Sequence, residues 1–379
     1  MSKFTKRTVS PFRCDVVGSF LRPQELKDAR AKYAEGKITR EELTQVEDRC
    51  IIDLIKKEEQ IGLTAITDGE FRRSWWHLDF IWGLNGLEKA QSAEGYTFHD
   101  EITRAETARV CGKINGNNHP FVEHFKFVKS HISPGHQAKQ TIPSPAQAFV
   151  ELQRPENAEA IKKYYQSQEA LISDFVAAYQ QVIRDLYAAG CRIVQFDDCT
   201  WGALVDWHSH PENIPAYGMK GAALDQAKEN FVNINNAVIQ GLPEDLVIQT
   251  HVCRGNYHST WANSSGYDYV ADPLFTKENV RAFFLEYDND RSGGFEPLAK
   301  VPKGKCVVLG LITSKSGELE DKQTIINRIH EAAKYVPLDN LCLSPQCGFA
   351  STEEGNILTE EQQWNKLKLI KEISEQVWG

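Results

Sequence analysis

Three short strings place metal-binding residue types behind apolar runs: Gln249-Thr250-His251-Val252-Cys253-Arg254, Phe283-Phe284-Leu285-Glu286-Tyr287-Asp288 and Leu343-Ser344-Pro345-Gln346-Cys347-Gly348. Side chains alternate along a strand, so His251 and Cys253 project to the same side, where an imidazole nitrogen and a thiolate can share one ion. Taken alone, a His-x-Cys pair more often marks a buried histidine beside an inert thiol. The weighing changes when Glu286 and Cys347 also arrive at strand ends. One His, one Glu and two Cys form a chemically sensible Zn²⁺ set, because soft thiolates favour zinc over Mg²⁺ or Ca²⁺. Thiolate ligands also keep the metal electron-rich, which suits activation of a substrate thiol better than hydrolysis by a zinc hydroxide. Glu286 is the ligand expected to give way to substrate sulfur.

The elements that must position these residues show as eight short, β-branched apolar runs: 14–20, 64–67, 140–143, 192–196, 246–250, 282–286, 306–312 and 341–344. Helical periodicity occupies 40–61, 157–189, 221–242, 322–335 and 359–377. Continuous rather than alternating apolar strands imply a parallel sheet covered by helices, and eight units imply a single (β/α)₈ TIM barrel spanning 1–379. The metal-binding candidates then lie at the C-terminal ends of the fifth, sixth and eighth strands, the face where such barrels place their active sites. Two regions depart from the repeat. Residues 96–133 carry strand-like runs at 107–114 and 125–128 around Asn115-Gly116-Asn117-Asn118, which predicts an inserted β-hairpin after strand two. Residues 201–218, rich in proline, histidine and aromatics, read as a long active-site loop after the fourth strand.

Composition narrows the partners. The 379 residues are 41% hydrophobic and 25% charged, ordinary for a globular protein, so disordered and fibrous classes drop out. Forty-three basic against 52 acidic residues give a net charge of −9 without a Lys/Arg block, which argues against nucleic acid and anionic membranes. No stretch approaches the roughly 20 apolar residues of a membrane span. The polar N-terminus lacks an apolar signal region, and a cytoplasmic location is expected. Nine scattered cysteines do not form a secreted disulfide framework. Cys191 and Cys199 flank the fourth run without an evident partner, and Cys14, Cys50, Cys111, Cys306 and Cys342 read as core thiols.

Five strings, taken in order and spacing, resemble the catalytic half of cobalamin-independent methionine synthase, especially its short single-barrel, methionine synthase II-like members. They are Asp15-Val16-Val17-Gly18-Ser19-Phe20-Leu21-Arg22-Pro23, Thr67-Asp68-Gly69-Glu70-Phe71-Arg72-Arg73, Gln195-Phe196-Asp197-Asp198, His251-Val252-Cys253 and Pro345-Gln346-Cys347-Gly348. The resemblance extends from about Phe12 to Val377 and implies zinc held by His251, Cys253, Glu286 and Cys347. It also implies homocysteine held by the Val17-Gly18-Ser19 backbone, Glu70 and Asp197. Carboxylates attract an ammonium, while backbone N–H groups and the Ser19 hydroxyl receive a carboxylate. The implied activity is that of a 5-methyltetrahydropteroyltriglutamate–homocysteine S-methyltransferase: coordination lowers the thiol pKa, and the zinc thiolate attacks an electrophilic methyl group to form methionine.

Two departures bear on the methyl donor. The full-length synthases have a second, N-terminal barrel that helps to bind polyglutamyl folate, and 379 residues hold only one. After the seventh strand the synthases carry an Asp-x-His-Ser string implicated in protonating the departing folate, where this chain reads Thr313-Ser314-Lys315-Ser316. A lysine or a water could substitute, or the donor could need no protonation, as with a methyl-corrinoid, supplied for example by a corrinoid protein partner, or a sulfonium.

Arg72-Arg73-Ser74-Trp75-Trp76-His77 could offer cations and an aromatic platform to a pterin or carboxylate, with Arg72 the substrate-binding candidate; the alternative is a helix face packing on the barrel rim. Asp206-Trp207-His208-Ser209-His210 offers His-x-His beside Asp197 and Asp198, but no strand fixes both rings. Asp198 reads as a supporting or substrate-facing acid. Two other functions stay open: a coenzyme-M-type zinc thiol alkyltransferase attacking an epoxide, and a non-catalytic zinc-storing or regulatory barrel.

Overall fold

The run Cys306–Ile312 is apolar throughout, and in the computed structural model, which describes residues 4–215 and 218–379, it forms a strand buried at every position. The described residues build ten strands: β1 (Ala65–Ile66), β2 (Asn85–Gln91), β3 (Glu106–Asn115), β4 (Gln137–Ala138), β5 (Gln140–Pro143), β6 (Ile193–Asp198), β7 (Val247–Val252), β8 (Ala282–Glu286), β9 (Cys306–Ile312) and β10 (Leu341–Pro345). Six of them form one parallel sheet in the order β10-β9-β8-β7-β6-β5. Each of the six is buried along its whole length, as expected where helices cover both faces of a parallel sheet.

Sequence neighbours are ladder neighbours, which fixes the order of the strand ends. Asp197 pairs in register with His251, His251 with Phe284, and Glu286 with Gly310. Gly310 is needed there: a Cβ would lie 2.7 Å from the Gln346 Cα and 2.8 Å from the Leu285 carbonyl oxygen. At the β10 edge the first expected run contributes a single parallel bridge, Cys14 to Leu343. At the other edge, one residue before β5, β4 pairs with β1, shorter than the expected 64–67. The segments following Cys14 and β1 are tied by Phe20 N–H to the Gly69 carbonyl (3.1 Å) and Thr67 Oγ1 to the Gly18 carbonyl (2.8 Å), hydrogen bonds outside any ladder. The expected eight-stranded ladder is thus observed as six ladder strands, with the first two runs attached by shorter contacts.

Three expectations are corrected. An antiparallel pair does follow β1, but it is β2 with β3, and the second arm expected at 125–128 lies inside the helix Pro120–His131. Proline at the first helical turn starts that helix, and Phe121, Phe125 and Val128, spaced by four and three, are its buried face. The expected loop 201–218 is largely helical: Thr200–Ser209 is an α-helix burying Trp201, Leu204 and Val205, followed by a 3₁₀ turn at Pro211–Asn213. Ala216 and Tyr217 of that range lie outside the described residues. The single helix expected at 157–189 is broken into Ala158–Tyr164 and Gln168–Ala188, the second capped by Ser167, whose hydroxyl accepts from Ala170 N–H. Capping boxes at Thr39/Glu42 and Thr359/Gln362 start the helices Arg40–Gln60 and Glu360–Trp378 where periodicity predicts them. Among the described residues, no helix is long and apolar enough to cross a membrane.

Candidate functional site

The C-terminal ends of β7, β8 and β10 bring four side chains to one point. His251 lies in β7, Cys253 follows it, Glu286 ends β8 and Cys347 stands two residues past β10. One donor atom from each falls within 4.8 Å of all the others, and all four residues are buried. The sulfurs of Cys253 and Cys347 are 3.6 Å apart, far too long for a disulfide. Two thiolates at ~2.3 Å from a tetrahedral ion sit about 3.8 Å from each other, so this spacing suits a shared metal.

The hydrogen bonding around these atoms is incomplete in a telling way. Neither ring nitrogen of His251 has a hydrogen-bond partner, and Glu286 Oε2 accepts no hydrogen bond but lies 3.6 Å from the Arg291 guanidinium. Burying such groups unpaired costs roughly 1–3 kcal/mol each, a cost a bound cation removes. Glu286 Oε1 accepts from Arg254 N–H at 2.9 Å, which fixes the orientation of the carboxylate. The buried Arg254 guanidinium further donates to the Glu286 carbonyl (3.2 Å) and the Tyr267 hydroxyl (2.7 Å), fixing the end of β8. Gly255 N–H points at the Cys253 sulfur at 3.3 Å, a contact that favours thiolate. Contact with Cys199 and burial push the Cys253 thiol well up; contact with Cys253 and burial do the same for Cys347. Burial opposes the charge on His251, but the Cys347 thiol and the Glu286 carboxylate outweigh it and raise its pKa. A divalent cation reverses the thiol shifts by favouring the deprotonated ligands.

His251, Cys253 and Cys347 open onto a cavity of about 1350 Å³ that Val17, Ser19, Glu70 and Asp197 also line. Glu70 occupies a strained turn. Its φ is 62°, held by Asp68 Oδ1 accepting Glu70 N–H (2.8 Å) and by the Glu70 carbonyl accepting Arg73 N–H (2.9 Å). Such a backbone costs of order 1–3 kcal/mol and is kept where it aims a side chain. Glu70 Oε1 meets Thr141 Oγ1 at 2.8 Å and Arg73 Nη1 at 3.2 Å, whereas Oε2 is buried without a partner. Burial raises the pKa of Glu70, and burial together with the nearby Glu70 charge raises that of Asp197 well above the carboxylate range. Ser19 Oγ accepts from Ala350 N–H at 3.3 Å, next to the loop that carries Cys347, while Gly18 packs against Thr141.

The structure does not bring Arg72 to this cavity. Its guanidinium bonds Glu47 (3.1 Å) and Asp48 (2.5 Å) and lies over Phe127, so the adjacent Arg73 is the arginine that reaches Glu70. Trp75, Trp76 and His77 do line the wall. The His208/His210 pair forms no metal group: His208 stacks on Tyr269 and His210 faces Asp206 at 3.4 Å. Asp198 turns away from the cavity toward Thr200 and Asn235. Cys199, given no partner by sequence pattern, stands beside Cys253 because Asp198 and Val252 are register partners in parallel strands. Sequence offers that signal only once the β6–β7 register is known.

The sequence profile of the cobalamin-independent synthase catalytic domain matches residues 12–369. The chain is 45% identical to the uncharacterised protein YxjH of Bacillus subtilis over 99% of its own length and 97% of that protein's. It is 25% identical to a methionine synthase of Saccharolobus solfataricus, covering 88% of this chain and 86% of that one. A crystal structure from Listeria monocytogenes, provisionally named a vitamin-B12-independent methionine synthase, superposes with a TM-score of 0.77 at 39% identity, covering 98% of this chain and all of that one. None of these relatives lends support to a corrinoid protein partner. A buried His-Cys-Glu-Cys group at the ends of parallel strands and a profile match over nearly the whole chain agree, and the chain belongs to the cobalamin-independent synthase family as a copy of its catalytic domain.

Proposed function

We propose that the protein is a cytoplasmic zinc-dependent methyltransferase that methylates the thiol of homocysteine to form methionine. The observation that carries this reading is the convergence of four buried donor atoms, with both ring nitrogens of His251 without a hydrogen-bond partner, at one end of a cavity that Glu70 and Asp197 share. Held by His251, Cys253, Glu286 and Cys347, zinc would supply a Lewis acid that lowers the pKa of a bound thiol.

The chain's own residues do the rest. Glu70 Oε2 and the Asp197 carboxylate receive the ammonium, a counter-charge that offsets the burial raising both carboxyls. Ser19 and the backbone on either side of Gly18 face the amino acid's carboxylate. Arg73 holds Glu70 from behind, with its other nitrogen on the Thr141 carbonyl at 2.8 Å. Homocysteine fixed at both ends of its backbone places its thiol toward Cys253 and Cys347, and this positioning converts a bimolecular encounter into an oriented one.

Cobalt-substituted protein tests the reading. Homocysteine should intensify the sulfur-to-cobalt charge-transfer band in the wild type and not in Cys347→Ala. A response to a sulfonate thiol instead of homocysteine would favour the coenzyme-M-type alkyltransferase, and metal binding with no response to either thiol would favour a storage or regulatory protein.

A further inference from the structure

Two residues before Asp197, on the same side of β6, the side chain of Gln195 is fully buried. Against it stands Lys139, placed between β4 and β5. Its side chain has no exposure, and its ammonium meets three acceptors: Asp15 Oδ1 at 2.9 Å, the Val16 carbonyl, and Gln195 Oε1 at 3.3 Å. Three N–H donors are thus matched by three acceptors, with the Phe284 ring 5.1 Å from Nζ. A buried ammonium is costly unless each donor is met, which holds the cation to one geometry. That geometry decides which way round the Gln195 amide sits. Lys139 Nζ and Gln249 Nε2 can only donate, and both meet Gln195 Oε1 at 3.3 Å, so the amide oxygen must face them. Gln249 is itself set by Ser10, whose hydroxyl donates to its Oε1 at 2.9 Å. Gln195 Nε2 then spends its two donors on Asp197 Oδ1 (2.8 Å) and the Val17 carbonyl (2.6 Å).

Those two acceptors belong to opposite ends of the amino-acid seat, Asp197 on the ammonium side and the Val17-Gly18-Ser19 backbone on the carboxylate side. Lys139 also grips that backbone one residue earlier, at the Val16 carbonyl, while Asp15, its ion partner, accepts Val16 N–H at 2.8 Å. From this chain of contacts we propose that Lys139 and Gln195 are positioning residues for the acceptor's amino-acid group: Lys139 orients the Gln195 amide, and the amide holds Asp197 and the Val17 carbonyl in fixed relation. The proposal rests on the reading that homocysteine is the acceptor. Neither side chain lines the cavity, so both act through the groups they hold. The amide occupies Asp197 Oδ1 and leaves Oδ2 for the ammonium, which stops the carboxylate from turning. Methionine at position 195 fills nearly the same volume and withdraws both donors. Asp197 is then free to turn, and its charged form loses a hydrogen bond that favours it. The Val17 carbonyl is left buried without its donor, so the two ends of the seat lose their common reference.

The test compares two thiols on cobalt-substituted protein, with affinity read from the sulfur-to-cobalt charge-transfer band: homocysteine, and 4-mercaptobutyrate, which lacks only the amino group. Wild type should bind homocysteine at least ~10-fold more tightly, the worth of one charge-assisted hydrogen bond. Gln195→Met should weaken homocysteine by about 10-fold and 4-mercaptobutyrate by no more than about 2-fold, so that the preference given by the amino group collapses. Its cobalt content should match the wild type, and in turnover with zinc the loss should fall on the KM for homocysteine rather than on kcat. A purely structural role weakens both thiols alike; that result, or a preserved preference, overturns the proposal. Equal wild-type affinity for the two thiols overturns it as well, while leaving the metal and thiol reading in place. No response of the wild type to homocysteine overturns the parent reading instead. The paired variant Lys139→Met with Asp15→Asn removes the buried ion pair as a unit and carries the test by itself if Gln195→Met does not fold. It should lower the preference for homocysteine in the same direction, and an unmoved preference overturns the role given to Lys139.

Discussion

The two walls of the cavity are built by different means. One wall is the ladder: β6, β7, β8 and β10 end there, each pinned by neighbours in register, and they deliver Asp197, His251, Glu286 and the turn to Cys347. The other wall is assembled from segments between ladder strands, the turn at Glu70, the residues Trp75–His77 and the stretch around Tyr96 and Phe98. The ladder wall holds groups that must meet within a few ångströms, where an error of 1 Å would undo a coordination site. The inserted wall holds aromatic surface and acids, which tolerate looser placement and can vary with the ligand. Chemistry on the rigid side and selection on the variable side is what the difference teaches.

The hardest break of the ladder wall is removal of a proposed metal ligand. Cys347→Ala leaves three donors, and methyl transfer should fall by at least ~10³-fold together with most bound zinc, since even outer supporting groups cost 10–100-fold. Metal analysis and methionine formation check it; stoichiometric zinc with full activity in this variant would remove Cys347 from the site.

The inserted wall should fail first in acid. His119 caps the helix Pro120–His131 with Nδ1 accepting Phe121 N–H (3.2 Å), while Nε2 donates to the Phe80 carbonyl (2.9 Å), an arrangement that requires the neutral ring. Burial lowers its pKa to about 4 and that of His77 to about 3. An unfolded histidine titrates near 6.5, so below that pH the unfolded chain takes up protons the native state refuses. The contribution is complete above pH 6.5 and is lost as pH falls toward 4, by roughly 3 kcal/mol for His119 alone. Urea unfolding at pH 7 and pH 5 should show the loss, and His119→Asn should flatten the dependence.

The same division explains what could be read before the structure. His251 and Cys253 follow from period-two alternation at the end of an apolar run, and Glu286 and Cys347 join them as metal-binding residue types at the ends of the sixth and eighth runs. Glu70 and Asp197 were legible only through the resemblance, since their motifs sit in a turn and at a strand end with no periodic signal. The inserted wall escaped. The run 125–128 is apolar enough for a strand, but Pro120 and the spacing of Phe121, Phe125 and Val128 make it helical. The pairing of β2 with β3 joins segments with 14 residues between them, and the intervening 92–105 carry no compact turn signature. Residues 201–218 read as a loop because proline and histidine masked the helical spacing of Trp201, Leu204 and Val205.

At the junction of the two walls, Glu70→Gln keeps the shape of the side chain and removes the charge. Zinc content should be unchanged, and the KM for homocysteine should rise by about 10-fold, the worth of a charge-assisted hydrogen bond of roughly 1.5 kcal/mol. The pH dependence has a definite sign. Because burial raises the Glu70 and Asp197 carboxyls, wild-type KM should climb as pH falls through their raised pKa, and Glu70→Gln should show a shallower climb. Loss of zinc from this variant would mean that Glu70 supports the metal rather than the substrate.

The smallest effect is the sharpest test of where the inserted wall ends. Arg72 and Arg73 are adjacent, yet Arg73 is buried against Glu70 while Arg72 bridges Glu47 and Asp48 on the helix Arg40–Gln60. If the cavity stops at Glu70, with Arg73 behind it, Arg72→Ala should leave the KM for homocysteine within about 2-fold of wild type. It should nevertheless cost stability, because Glu47 is fully buried and keeps only Arg40 and Arg30 nearby once Arg72 is gone. A buried carboxylate losing one of its cations is destabilised by roughly 1–3 kcal/mol, visible as a lower urea midpoint with unchanged slope. A rise in KM without loss of stability would place Arg72 in contact with substrate and extend the inserted wall by one residue, so this pair of neighbours decides the boundary between binding and support.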